Sequence, residues 1–208
     1  MMTAMKTTAI NPEILYFGTP VAVLSTRNPD GTANLAALSS FWALADRFLV
    51  GLAPGGQTGA NLAREDECVL NLPSPREWEY VERLGRTTGR PDMPDYKKEA
   101  GFHYVRDKFG WSGFTPAASD LVAPPRVAEC PVQIEARVVA RHQSVRVGDA
   151  DPGLHYIELQ RLKVHAQDRI LNEEKRRIDI DEWSPLLYLF RHYFGKGSRL
   201  GVSFRAKY

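Results

Sequence analysis

The sequence predicts a mainly β protein, an antiparallel β-barrel or sandwich with short helices between its strands. Three observations carry that class. About six or seven short runs are apolar and β-branched, or alternate apolar with polar residues at the two-residue period of a strand. Turn signals punctuate them, as in Asn28-Pro-Asp-Gly31, Pro54-Gly-Gly56 and Pro73-Ser-Pro75. No G-x-G-x-x-G turn is present, which argues against a parallel nucleotide-binding sheet.

The elements follow in order. Residues 1–12 are polar and small and read as a flexible arm. Residues 21–26, Val-Ala-Val-Leu-Ser-Thr, read as a buried strand, and the Asn28–Gly31 turn returns the chain along residues 32–38. Residues 48–52 and 68–72 are further apolar strands. Between them, residues 58–64 predict a short helix with Thr58 as its N-cap. Trp78, Val81 and Leu84, three apart, predict a helix over 77–84. Residues 85–94 read as a loop and 95–101 as a second short helix, so that 76–110 forms a helical and loop insertion. The aromatic stretch 109–116 reads as a loop. Pro124 and Pro125 keep 122–127 extended. In 131–140, Val132, Ile134, Ala136 and Val138 alternate with Gln133, Glu135 and Arg137, a strand with one wet face. Residues 153–166 form another long strand. Residues 184–194 are apolar and predict a helix capped by Ser184 with Pro185 in its first turn, making 172–208 a helical extension. Residues 1–208 read as a single domain.

Composition narrows the function. The net charge is only +2, with 43% hydrophobic residues. Residues 161–208 hold eleven Lys/Arg against six Asp/Glu. That basic quarter suits a solvated face or contact with a phosphate or acidic partner. Nucleic-acid binding is not expected, because the tail lacks an interleaved basic and aromatic groove beyond Arg191-His192-Tyr193-Phe194. Cys68 and Cys130 make no C-x-x-C pair and read as buried free thiols of a reducing cytoplasm. No signal peptide and no run of ~20 apolar residues is present, so a cytoplasmic protein without membrane contact is expected. Metal ligation is not expected either. Five histidines are scattered, and His155 and His165 would share a strand face yet lie ~33 Å apart.

The residues with chemistry gather in two stretches. Ser39 and Ser40 end a strand, followed by Phe41 and Trp42, and Asn34 is a polar residue inside that strand. Gln57-Thr58-Gly59-Ala60-Asn61 opens a helix with a hydroxyl, amides and small residues, a pattern suited to a phosphate. Asn61 lies one turn after Thr58. Together they suit a phosphorylated ligand with a planar ring. The same residues also admit a structural reading, with Thr58 a cap, Asn34 a turn partner, and Phe41 and Trp42 in the core.

Asn34-Leu-Ala-Ala-Leu-Ser-Ser-Phe41, Gln57-Thr-Gly-Ala-Asn-Leu62 and Cys68-Val-Leu-Asn-Leu72 resemble, in order and spacing, the flavin reductase-like, FMN-binding split-barrel family. The stretch from Val122 to Val132, Gly153-Leu-His155, Lys163-Val-His-Ala166 and Asp168-Arg-Ile-Leu171 extend the resemblance over residues 15–171. It implies an FMN-binding split β-barrel and a homodimer. Ser39, Ser40 and Phe41 would line the flavin, Asn34 would lie beside them, and Gln57, Thr58 and Asn61 would hold the phosphate. His155 would be a catalytic-side residue near the nicotinamide or flavin. The implied cofactor is FMN, with FAD as the alternative, and NAD(P)H is the co-substrate. The implied reaction is hydride transfer to flavin N5, with a partner oxygenase as one destination of the reduced flavin. The competing reading is a non-enzymatic FMN-binding electron carrier. Ala43-Leu-Ala-Asp-Arg47 stands where the family often carries a proline pair.

Overall fold

The computed structural model describes residues 6–146, 148 and 153–203. The first strands are β1 (Phe17–Pro20), β2 (Ala22–Arg27), β3 (Ala33–Leu38), β4 (Phe41–Leu44) and β5 (Arg47–Leu52). Helix α1 (Gln57–Arg64) and β6 (Glu67–Leu72) follow. The inserted region holds α2 (Trp78–Gly85), β7 (Thr87–Thr88), α3 (Asp95–Glu99), β8 (His103–Tyr104) and α4 (Lys108–Ser112). Two short strands, β9 (Pro116–Ala117) and β10 (Arg126–Val127), precede the long pair β11 (Val132–Gln143) and β12 (His155–Ala166). The chain then forms β13 (Leu187–Leu189) and β14 (His192–Phe194).

Seven strands make one antiparallel sheet in the order β3-β2-β6-β11-β12-β5-β4. It curls into a split barrel, so the mainly β class with short helices holds. Strand β2 explains the curl. Ala22 and Leu24 face inward onto Val50, Leu70, Ile134 and Leu159. Val21 and Val23 face outward, where Val81 and Leu84 of α2 and Phe109 of α4 cover them with Leu35. Each fully buried Leu or Val contributes about 1.5–3 kcal/mol. A run apolar at every position is therefore what a strand covered on both faces requires. The β2–β3 turn is held by Asp30, whose carboxylate accepts from Thr32 Oγ1 at 2.6 Å and from Thr32 N–H at 3.1 Å. Those bonds, with Arg106, bring its carboxyl down to about 2. Among the described residues, no helix is long and apolar enough to cross a membrane.

Both cysteines are fully buried. Burial pushes the Cys68 thiol up to about 12 and the Cys130 thiol well above its ordinary value. The native protein is expected to leave both unmodified by a chromogenic aromatic disulfide, with two thiols released only in denaturant. A fast native reaction would contradict the packing.

Several local expectations are corrected. Residues 184–194 form no helix. Leu187–Leu189 pairs with β1 and with His192–Phe194, and the 172–208 extension carries this hairpin instead. Phe190 and Arg191 take φ of 45° and 68°, closing a tight turn that Phe-Arg does not advertise. Pairing of Leu187–Leu189 with β1, with Tyr188 against Tyr16 and Phe190 against Phe17, prevailed over the helix suggested by Pro185. The 109–116 stretch is helical at its start, because the Asp107 side chain caps Gly110 N–H at 2.9 Å and Gly113 ends the helix at φ 88°. The face of β11 expected to be wet is covered in its first half, with Gln133 5% exposed and Glu135 0%, while Arg137 is exposed. Bulges at Leu162 in β12 and Val139 in β11 shift the register. Ile157 and Leu159 face the core before the Leu162 bulge and Ala166 after it, so His155 and His165 lie on opposite faces rather than one. The expected arm at 1–12 lies outside the described residues for 1–5, and residues 6–12 form no strand or helix.

Candidate functional site

Helix α1 starts at Gln57, one residue before the predicted start, with Gly56 and not Thr58 at the N-cap. Gly56 offers no side chain, so no side-chain oxygen accepts from the first-turn N–H groups. A Cβ built on Gly59 meets nothing within 4 Å, so that turn faces open space. Thr58 instead turns inward, where its Oγ1 accepts from Asn34 Nδ2 at 3.0 Å. Asn34 Nδ2 also reaches Thr26 Oγ1 at 3.3 Å. Asn61 donates to Thr26 Oγ1 and Asn28 Oδ1, both at 3.0 Å, and accepts from Gln57 Nε2 at 2.8 Å. The polar residues Thr26, Asn34, Thr58 and Asn61 are all buried. They lock α1 onto β2 and β3 and fix where its open N-terminus points.

The insertion brings a lysine to that N-terminus. Lys97 Nζ lies 3.5 Å from the point a Cβ on Gly56 would occupy. Tyr96 Oη donates to Pro54 O at 2.7 Å and pins α3 there. Lys97 forms no salt bridge, and burial followed by the nearby Arg90 charge lowers its pKa. Arg90 is itself held by Asp92. Lys108 is 3% exposed, with Nζ donating to Leu35 O at 3.1 Å and Thr87 Oγ1 at 2.7 Å and no carboxylate partner. Burial, then the Lys97 charge, brings it down to about 7. An uncapped helix start beneath a lysine suits an anion by both dipole and charge. Neither lysine stands out in the sequence, because only the folded insertion carries Lys97 to the start of α1 and Lys108 to β3. The one sequence hint was their place in a segment that the strands did not need.

A cavity of about 550 Å³ adjoins this start. Ser39, Ser40, Leu52 and Ala53 line one side, and Arg86 and Phe102 of the insertion the other. Ala53 is three residues from Gly56, at most about 10 Å of chain. Ser40 Oγ donates to Gly51 O at 2.6 Å, so its lone pairs remain free while its proton is committed. Arg86 is exposed and makes no salt bridge with the described residues. Phe41 packs against the barrel core. Trp42 is 58% exposed on the edge strand β4 and does not line the cavity. His155 stands opposite Leu52 in the β12–β5 register.

Asn34 Oδ1 is buried without a partner. A Cβ on Gly89 would come 2.3 Å from that oxygen and 3.2 Å from Gln57 Cγ. Because two hydrogen bonds tether the Asn34 amide, it cannot swing aside. Gly89→Ala is expected to cost about 1–3 kcal/mol by overpacking, seen as a lower denaturant midpoint. An unchanged midpoint would show that this contact yields freely.

Ligand atoms of Asp120, Glu135 and His165 lie within 4.8 Å of one another. These groups are already engaged. Glu135 accepts from the N–H groups of Asp120 and Leu121 and lies 2.6 Å from His165 Nε2, while Asp120 pairs with Lys163.

Comparisons with known proteins agree with this architecture. Residues 14–197 match the model of the flavin reductase like domain. A Bacillus subtilis (strain 168) protein described as "Uncharacterized protein YdfE" is 42% identical over 198 residues, covering 95% of this chain and 93% of its own. Among solved structures, flavoredoxin of Desulfovibrio vulgaris (Miyazaki F) superposes with a TM-score of 0.76 at 20% identity, covering 97% of this chain and 99% of that one. Nitrilotriacetate monooxygenase component B from Bacillus cereus gives a TM-score of 0.74 at 16% identity, covering 96% and 100%.

Proposed function

The chain belongs to the flavin reductase-like family, and from that premise we propose that it binds FMN and acts as a NAD(P)H-dependent flavin oxidoreductase. The observation that carries this reading is the uncapped start of α1 beneath Lys97, three residues along the chain from an open cavity. Lys97, without a carboxylate partner among the described residues, fits a ligand that brings a phosphate. In this reading, the N–H groups of Gln57 and Thr58 hold the phosphate with Lys97. Asn34 and Asn61 fix α1 from within. Ser39 and Ser40 border the ring, and Phe41 supports them from the core. His155, opposite Leu52 of the cavity wall, belongs to the nicotinamide side. Arg86, free of any salt bridge, takes a phosphate of the pyridine nucleotide.

When bound, the flavin supplies hydride acceptance at N5 and onward electron transfer. The protein orients the ring, holds the phosphate and places donors where negative charge is favoured, tasks that need no acidic residue. A homodimer is part of the proposal: Trp42 and Leu44 are 58% and 64% exposed on the unpaired edge of β4, a surface suited to a second copy. A partner oxygenase is one acceptor for the reduced flavin.

The test is direct. The purified protein should show flavin absorbance near about 450 nm or bind added FMN, and oxidise NADH or NADPH with it. A flavin-binding protein that oxidises neither nucleotide would leave only the electron carrier, and absence of FMN binding would end both readings.

Lys108 adds a pH signature. Its pKa of about 7 lies where an incoming phosphate would favour the charged form. Binding then takes up a proton, so this contribution is full below pH 7 and fades above it. FMN affinity is expected to fall more steeply between pH 6 and 8.5 in the wild type than in Lys108→Met, by fluorescence titration. Parallel profiles would show that Lys108 does not sense the ligand.

A further inference from the structure

A second cavity, of about 650 Å³, opens between α2 and the β13–β14 hairpin. Two of its walls are large aromatic side chains left uncovered, Trp78 at 44% and Phe194 at 48% exposure. Arg191 stands at the hairpin turn on its rim. Among the described residues its guanidinium pairs only with the exposed Glu13, across 3.9 Å, which is beyond hydrogen-bond range. The opposite wall carries Glu82, which accepts from Tyr193 Oη at 2.9 Å. Burial, then the Glu82 bond, raises the Tyr193 pKa, so the hydroxyl keeps its proton as donor.

We propose that this cavity binds a small aromatic carboxylate, with its ring between Trp78 and Phe194 and its carboxylate on Arg191. The aromatic walls recover apolar burial and edge or stacked ring contacts. A guanidinium held only by a loose, exposed ion pair can offer the two parallel N–H groups that a carboxylate takes. The second carboxylate oxygen of Glu82 accepts from a hydroxyl on the far side of the ring, so a hydroxy-substituted acid matches both ends. The backbone supports the assignment. Phe190 and Arg191 occupy left-handed conformations that a turn normally gives to Asn and Gly, which holds Arg191 over the opening at a cost in strain.

Tyr193 and Glu82 also line the first cavity. Binding in the second cavity therefore acts on a pair shared with the proposed flavin site. That coupling rests on the flavin reading; the binding site itself does not.

The test is isothermal titration calorimetry of the full chain with 4-hydroxybenzoate, benzoate, benzamide and cyclohexanecarboxylate. Saturable binding in the order 4-hydroxybenzoate, benzoate, then the two analogues is expected. Arg191→Gln should weaken benzoate at least tenfold while its circular dichroism melt and its FMN titration match the wild type. No saturable heat from either benzoate, equal binding of benzamide or cyclohexanecarboxylate, or unchanged affinity in Arg191→Gln would each overturn the proposal. Because FMN is titrated separately, loss of the acid site is distinguishable from failure of the flavin reading.

Discussion

Lys97→Ala is expected to weaken FMN by about 10- to 150-fold while leaving riboflavin unchanged, the largest single effect on cofactor binding. Lys97 sits half-buried at the α1 N-terminus with no acidic partner, and burial lowers its pKa. A phosphate there restores what folding withholds, a counter-charge and a hydrogen-bond acceptor. Hydrogen bonds to charged groups contribute about 1.5–3 kcal/mol, which gives that range. Riboflavin separates the causes, since it carries the ring and ribityl chain without phosphate. Equal losses for both ligands would mean that Lys97 only supports α3, and no loss for FMN would place the phosphate elsewhere. Lys97→Arg should retain much of the affinity, because the charge and donor remain.

The start of α1 was readable in the sequence. Gln57-Thr-Gly-Ala-Asn61 announced a helix start with small residues, and the start differed by one residue. The roles of its side chains were not readable. Thr58 and Asn61 satisfy one another's buried neighbours, and a sequence cannot show which way a helix turns its polar face. Lys97 and Lys108 lie about 40 to 50 residues further on, in a region without periodicity strong enough to place them. Only the contacts of Tyr96 with Pro54 and of Lys108 with Leu35 bring them back.

The sheet was legible for a related reason. Strands β2, β5 and β6 carry their burial pattern in their own residues. The misses arose where another segment decided the outcome. Ser184 and Pro185 suggested a helix, yet the edge of β1 offered Leu187–Leu189 a partner, and pairing prevailed. Gln133 and Glu135 looked like a solvated face because what covers them is irregular: Glu135 lies under Asp120 and Leu121, and Gln133 under Arg126, Val127 and Cys130. Bulges at Leu162 and Val139 leave no residue signature, although they set which face His155 and His165 occupy.

Glu135 is where that covering matters most. It is fully buried, and its carboxylate accepts from Asp120 N–H at 2.9 Å, from Leu121 N–H and from His165 Nε2 at 2.6 Å. Glu135→Ala strands those donors and releases the segment they tie to β11. A loss of about 3–5 kcal/mol is expected from removing one partner of a buried charged network, measured by urea unfolding at pH 7. The pH dependence supplies an independent check. Burial opposes ionisation of Glu135, but the two backbone donors and His165 outweigh it, so its carboxyl titrates below the usual 4.5. A depressed folded pKa gives stability that is complete above the unfolded value and lost as pH falls through the folded one. The gap between wild type and Glu135→Ala should therefore hold from pH 7 to about 5 and narrow as the solution is taken toward pH 3. A gap that stays constant in acid would assign the loss to the cavity left by the side chain, since packing does not titrate.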